Sequence, residues 1–237
     1  LHYEEVWVPS GPQLLEHLHS WWLPQPNNRI GTLIYFHGAG LNIGYNVTQV
    51  YWLRKLGFDV LLVEYRGYGL SEGNFPTERS FYEDAEAALA YLTQERGIST
   101  DEIMVYGHSL GGAIAIDLAS KHPDLAGIIV QNSFTSMADM VARSGYARWF
   151  PVQMILHQRF ESLQKVGQLQ LPILLIHTTG DPMIPVQMSK RLYKAAQVPK
   201  QLILVKSNVH HNAGREFKTT EHLAKLKSFA VDALSAT

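Results

Sequence analysis

Short apolar runs alternate with amphipathic stretches along most of the chain, and this alternation restricts the fold more than any single motif. TLIYF (32–36), VLLV (60–63), IMVY (103–106), GIIVQ (127–131), ILLIH (173–177) and LILV (202–205) have strand length and no polar alternation. Between them VTQVYWLRKLG, AIAIDLASKH and MSKRLYKAAQ carry helical spacing. Uniformly apolar strands are buried on both faces, and strand–helix alternation calls for a parallel sheet covered by helices. YEEVWV and QLLEHLHSWWL, joined by the turn PSGP, predict an antiparallel start to that sheet. The expected fold class is α/β, a single domain over residues 1–237 with about eight mostly parallel strands and helices on both faces. Ser80 and Glu83 have the spacing of a capping box, opening a helix to about Glu95, and a last helix is expected over 219–235.

One segment breaks the rhythm. Residues 136–168 lie between the sixth and seventh strands, where a single helix would suffice, and predict a small cap-like insertion over the carboxyl end of the sheet. Its Tyr146, Trp149, Phe150, Met154, Ile155, Leu156 and Phe160 suit packing on the sheet, or else an acyl pocket or bilayer contact.

Composition narrows the partners. The 237 residues are 46% hydrophobic and 17% charged, with a formal net charge of −1. A nucleic-acid binder would show a basic stripe, so no nucleic-acid partner is expected. The chain has no cysteine, which removes disulfides, thiolate metal sites and a cysteine nucleophile. His17 and His19 alternate along a strand with no third ligand in view, so no metal is expected.

Chemistry concentrates at MVYGHSLGGAIAI. Gly107-His108-Ser109-Leu110-Gly111 fits G-x-S-x-G between an apolar strand and a helix. A nucleophilic serine on a sharp strand-to-helix turn needs glycine on either side, because the backbones leave no room for a Cβ. Its hydroxyl needs a base, and the base needs a carboxylate that fixes its tautomer, following in the chain order Ser, acid, His. Asp181 follows ILLIH in TTGDPMIP, and His210 and His211 follow LILV in KSNVHHNAG. Asp139 is the less well placed alternative acid; His211 is preferred as base, with His210 as the fallback. Backbone N–H groups of Leu110 and of Ala39, in His37-Gly38-Ala39-Gly40, are the expected oxyanion donors. His37 is expected to brace that loop. Gly38, Gly40, Gly44 and Glu64 give a degenerate dinucleotide fingerprint, a rival reading that leaves the Ser–Asp–His order unexplained.

FHGAG, VEYRGYGLSEG, YGHSLGGAIAI, NSFTS, GDPMIP and HHN, in this order, resemble the α/β-hydrolase superfamily of serine hydrolases. The resemblance is closest to its branch of small, often membrane-associated α/β-hydrolase domain proteins, through the R-G-Y-G-x-S-x-G stretch Arg66–Gly73. It implies Ser109 as nucleophile, Asp181 as acid and, because the family's His stands before Asn, His211 as base. It further implies hydrolysis of an ester, thioester or amide with no cofactor; carboxylesterase or lipase-like cleavage of a small or lipid-like acyl ester is the leading expectation, with an acyl-protein thioesterase or a small serine peptidase as the alternatives. Several members carry an N-terminal membrane anchor, so membrane association through a preceding segment is an expectation, a cytoplasmic protein being the alternative. Arg66, Tyr68 and Ser71 are expected to hold their loop beside the active site. A non-catalytic membrane-associated scaffold is the reading from a different class.

Overall fold

The computed structural model describes residues 2–40, 42–143, 157–210 and 220–236. Its strands are β1 (Glu4–Ser10), β2 (Glu16–Leu23), β3 (Gly31–Phe36), β4 (Phe58–Val63), β5 (Ile103–His108), β6 (Gly127–Gln131), β7 (Ile173–Thr178) and β8 (Lys200–Val205). They form one sheet in the order β1-β2-β4-β3-β5-β6-β7-β8. β1 pairs with β2, and β2 with β4, antiparallel; the remaining pairs are parallel. The turn at Gly11-Pro12 makes the expected hairpin, and every residue of β3, β4, β5, β6 and β7 is buried.

The helices are α1 (Val47–Leu56), α2 (Glu78–Ala90), α3 (Leu110–Lys121), α4 (Met137–Arg143), α5 (Ser162–Val166), α6 (Val186–Ala195) and α7 (Thr220–Ser235). Two apolar layers flank the sheet. Phe81, Ala85, Ile114, Leu118, Val166 and Leu192 pack on one face, and Val50, Leu53, Leu226 and Phe229 on the other. Alternate residues of each strand serve opposite layers, as Ile34 and Phe36 against Leu33 and Tyr35 do. Among the described residues no helix is long and apolar enough to cross a membrane.

Two local expectations change. Helix α2 opens three residues earlier than the Ser80–Glu83 pattern indicated, because Thr77 is its cap. The Thr77 hydroxyl accepts the Ser80 N–H at 3.2 Å, and Ser80 Oγ accepts the Thr77 N–H at 2.6 Å, so Ser80 closes the box instead of opening it. The helix continues through a wider turn, Tyr91–Glu95, to the expected end. Of the insertion over 136–168, α4 and α5 are seen, whereas residues 144–156, with most of its aromatic supply, lie outside the described residues. Phe160 is buried against Phe81, Tyr82 and Phe134. The Glu78 carboxylate fixes it there, accepting the N–H groups of Arg159 at 2.6 Å and Phe160 at 2.9 Å.

Candidate active site

Ser109 stands between β5 and α3 with φ 55° and ψ −118°, a left-handed conformation that a non-glycine residue adopts only under constraint. The constraint comes from both sides. The Ser109 N–H donates to the Gln131 carbonyl at 2.9 Å, and its own carbonyl accepts Ser133 Oγ at 2.8 Å and the Gly112 N–H at 3.0 Å. A Cβ on Gly107 would overlap the Gly111 carbonyl, and one on Gly111 would overlap the carbonyl of Phe36. The tight turn therefore excludes any side chain at either motif glycine, as the pattern required.

His210 supplies the ring beside this serine. Its Nε2 lies 3.0 Å from Ser109 Oγ and its Nδ1 2.6 Å from Asp181 Oδ2. His211, the preferred base in the sequence, lies outside the described residues, and the fallback His210 takes the position assigned to it. The placement of His210 has a backbone cause. The His210 carbonyl accepts His108 Nε2 at 3.1 Å and Asn132 Nδ2 at 3.0 Å, while the Val209 carbonyl accepts Thr178 Oγ1 at 2.7 Å. Side chains at the ends of β5, β6 and β7 thus fix the loop's register so that residue 210 faces Ser109.

Asp181 is placed as expected, one turn beyond β7. Its Oδ1 accepts the N–H groups of Met183 at 2.8 Å and Ile184 at 2.9 Å, leaving Oδ2 for the imidazole. Burial alone would raise its pKa, but the His210 hydrogen bond and the two backbone donors outweigh it and hold the carboxyl below its ordinary value. Asp139 is engaged elsewhere, with Arg191 and Thr135. Buried His177 braces the same turn, one nitrogen on the Ile184 carbonyl at 2.8 Å and the other on Ser189 Oγ at 2.7 Å. Burial lowers its pKa, against the pull of that carbonyl and of Asp181.

The loop after β3 reaches Ser109. A Cβ on Gly38 would sit 3.1 Å from Ser109 Cβ. Each carbonyl of His37, Gly38 and Ala39 accepts a side-chain donor: Tyr65 OH at 2.7 Å, His37 Nδ1 at 2.7 Å and Tyr68 OH at 3.1 Å. In a trans peptide the N–H points opposite to the carbonyl, so anchoring the Gly38 oxygen sets the direction of the Ala39 N–H. Leu110 is the first residue of α3, and its N–H has no helical carbonyl to meet. Glu64, which completed the degenerate dinucleotide pattern, is spent inside the protein on His37 and the Ile43 N–H. Arg66 is buried on Asp84, Glu16 and Glu83, and Ser71 accepts the His19 N–H, so the RGYG stretch has the bracing role expected of it.

Ser109 opens into a cavity of about 380 Å³ lined almost wholly by apolar groups, among them Phe75, Phe81, Leu110, Phe134, Met137 and Phe160. Ser109, Asp181 and the loop after β3, which the sequence singled out, lie together here. Sequence reasoning missed Asn132, Thr178 and His108 as the clamp on His210; the visible signal was only their position at strand ends.

The chain is similar to several known proteins. The family model described as serine aminopeptidase, S33, matches residues 27–164. WAV2, an α/β-hydrolase domain-containing protein of Arabidopsis thaliana, is 30% identical over 208 residues, 82% of this chain and 67% of that protein. YfhR of Escherichia coli strain K12 is 27% identical over 229 residues, 92% of this chain and 78% of that protein. The esterase Pf2001 of Pyrococcus furiosus superposes with a TM-score of 0.78 at 18% identity, covering 98% of this chain and 93% of that one. The sheet order and the strained serine turn already set the architecture, and the match to WAV2 along most of both chains completes the assignment: this chain belongs to the α/β-hydrolase superfamily, as a hydrolase of the branch that includes WAV2.

Proposed function

We propose that the chain cleaves carboxylic esters with apolar acyl groups through an acyl-enzyme. The observation that carries this reading is the His210 ring, which bridges the Asp181 carboxylate and Ser109 Oγ, with Ser109 in the wall of an apolar cavity. Asp181 holds the ring hydrogen on Nδ1, so Nε2 accepts the Ser109 proton as Oγ bonds to the carbonyl carbon. The Ala39 and Leu110 N–H groups receive the oxyanion. His210 returns the proton to the departing alcohol as its C–O bond breaks. Water, deprotonated by the same ring, then attacks the acyl-enzyme, and the acid leaves as Ser109 regains its proton. Every step is supplied by this chain's own side chains and amides.

Ester is favoured over aminoacyl substrate by the cavity lining. An aminopeptidase has to hold an α-ammonium group, and no carboxylate is among the described residues that line the cavity. The test pairs a fluorophosphonate probe with p-nitrophenyl esters of graded chain length and alanine p-nitroanilide. Labelling of Ser109 and ester turnover, both lost in Ser109→Ala, are expected. Ester turnover that survives Ser109→Ala, or an anilide cleaved faster than every ester, overturns the reading. An unlabelled serine with no turnover would bring forward the non-catalytic scaffold.

A further inference from the structure

His37 and Glu64 are both fully buried directly behind the oxyanion loop, with His37 Nε2 2.7 Å from Glu64 Oε1. The Gly38 carbonyl can only accept, so His37 Nδ1 carries a hydrogen. A second hydrogen must lie between Nε2 and Oε1. Glu64 Oε2 accepts the Ile43 N–H at 3.0 Å, so both carboxyl oxygens are held and that second hydrogen is shared across the short contact between Nε2 and Oε1. The hydrogen-bonded chain from Glu64 through the His37 ring to the Gly38 oxygen is then continuous, each bond polarising the next.

That oxygen belongs to the same peptide group as the Ala39 N–H. A donor polarised in this way withdraws density from the amide through its oxygen and makes its N–H a stronger donor at the opposite end. We infer that the His37–Glu64 pair is a positioning and polarising device for the oxyanion hole, aiming and strengthening the Ala39 N–H without touching substrate. The carboxylate is the part that a purely structural brace does not need. The inference rests on the proposed role of Ser109 and extends it to residues outside the Ser–His–Asp set.

Glu64→Gln separates the carboxyl group from its shape. The amide NH₂ donates to His37 Nε2 and the amide oxygen still receives Ile43, so the ring keeps its bond to Gly38 but loses the hydrogen it shares with the carboxyl group. The wild type and Glu64→Gln are compared in fluorophosphonate labelling of Ser109, p-nitrophenyl butyrate kinetics, inhibition by an alkyl trifluoromethyl ketone, and thermal unfolding. Deleting an oxyanion donor outright costs about 10²–10³ in kcat, so weakening one is expected to cost roughly tenfold. kcat and the labelling rate fall by that factor, the ketone's inhibition constant rises by it, and KM stays within twofold. A Glu64→Gln enzyme that matches the wild type in kcat and ketone affinity overturns the inference. So does a loss of kcat with ketone affinity unchanged. A wild type that does not label fails the reading of Ser109 instead.

Should the variant not fold, the wild-type protein decides by nuclear magnetic resonance of its histidine N–H groups. Ketone adduct formation is expected to move the His37 Nδ1–H signal downfield, and a signal that stays in place overturns the inference.

Discussion

Replacing Asp181 by asparagine tests the site most sharply, because the structure fixes which way the new side chain must turn. Oδ1 accepts two backbone N–H groups, from Met183 and Ile184, so the amide oxygen has to take that place. The NH₂ group then falls where Oδ2 stands, 2.6 Å from His210 Nδ1. An amide donor there forces Nδ1 to accept, which moves the ring hydrogen to Nε2, facing Ser109 Oγ across 3.0 Å. The hydroxyl then has no base. The expected loss in kcat is about 10⁴, or about 5 kcal/mol of transition-state stabilisation. KM should hardly change, since Asp181 does not line the cavity. Stability gives a second readout with a defined sign. The folded carboxyl titrates below its ordinary 3.8, so its contribution is present above about that pH and lost as pH falls through the lowered value. Asp181→Asn should lack that acid-dependent increment in urea unfolding between neutral pH and pH 3. Steady-state kinetics on p-nitrophenyl butyrate at neutral pH decide the mechanism. A loss smaller than tenfold would refute the tautomer argument, and with it the assignment of Asp181 as the acid.

The two adjacent histidines separate cleanly by substitution. His210→Ala should lose about 10⁴ in ester turnover and its fluorophosphonate labelling, while His211→Ala keeps both; the reverse pattern would restore the sequence-based preference. Burial lowers the His177 pKa below 6.5, so the native state keeps it neutral while the unfolded chain takes up a proton. The wild-type melting temperature should therefore fall as pH drops below 6.5, and His177→Gln should flatten that slope in scanning calorimetry; an unchanged slope would assign it to other groups. Gly111→Ala drives a Cβ into the Phe36 carbonyl and should destabilise by about 2 kcal/mol or more. Gly167→Ala, whose nearest neighbour would be 3.5 Å away at φ −70°, should be neutral or stabilising by about 0.5 kcal/mol, and the two midpoints in urea check the contrast.

What the sequence makes legible here follows from which forces are local. The central strands are apolar on both faces, so they announce themselves without reference to anything distant, and the strand-to-helix turn at Ser109 carries its own steric signature in Gly107 and Gly111. Asp181 is legible for a similar reason: the turn that presents it is only residues away from the strand that positions it. The capping of α2 shows the limit even at short range. Two overlapping boxes compete there, Thr77–Ser80 and Ser80–Glu83, and the first is the one realised, with Ser80 Oγ and Thr77 exchanging bonds.

The base is a different problem. Nothing within SNVHHN counts residues, because a loop without periodicity has no face to keep. Its register comes from Thr178, Asn132 and His108, each contributed by a different strand and each holding a backbone carbonyl rather than a side chain. A slip of one residue against those clamps would carry the imidazole away from Ser109. Those remote clamps, not the identity of the loop residues, therefore decide which side chain of the loop faces Ser109. Removing one of them, as in Asn132→Ala, should cost activity through the placement of His210 while Ser109 and Asp181 remain where they are.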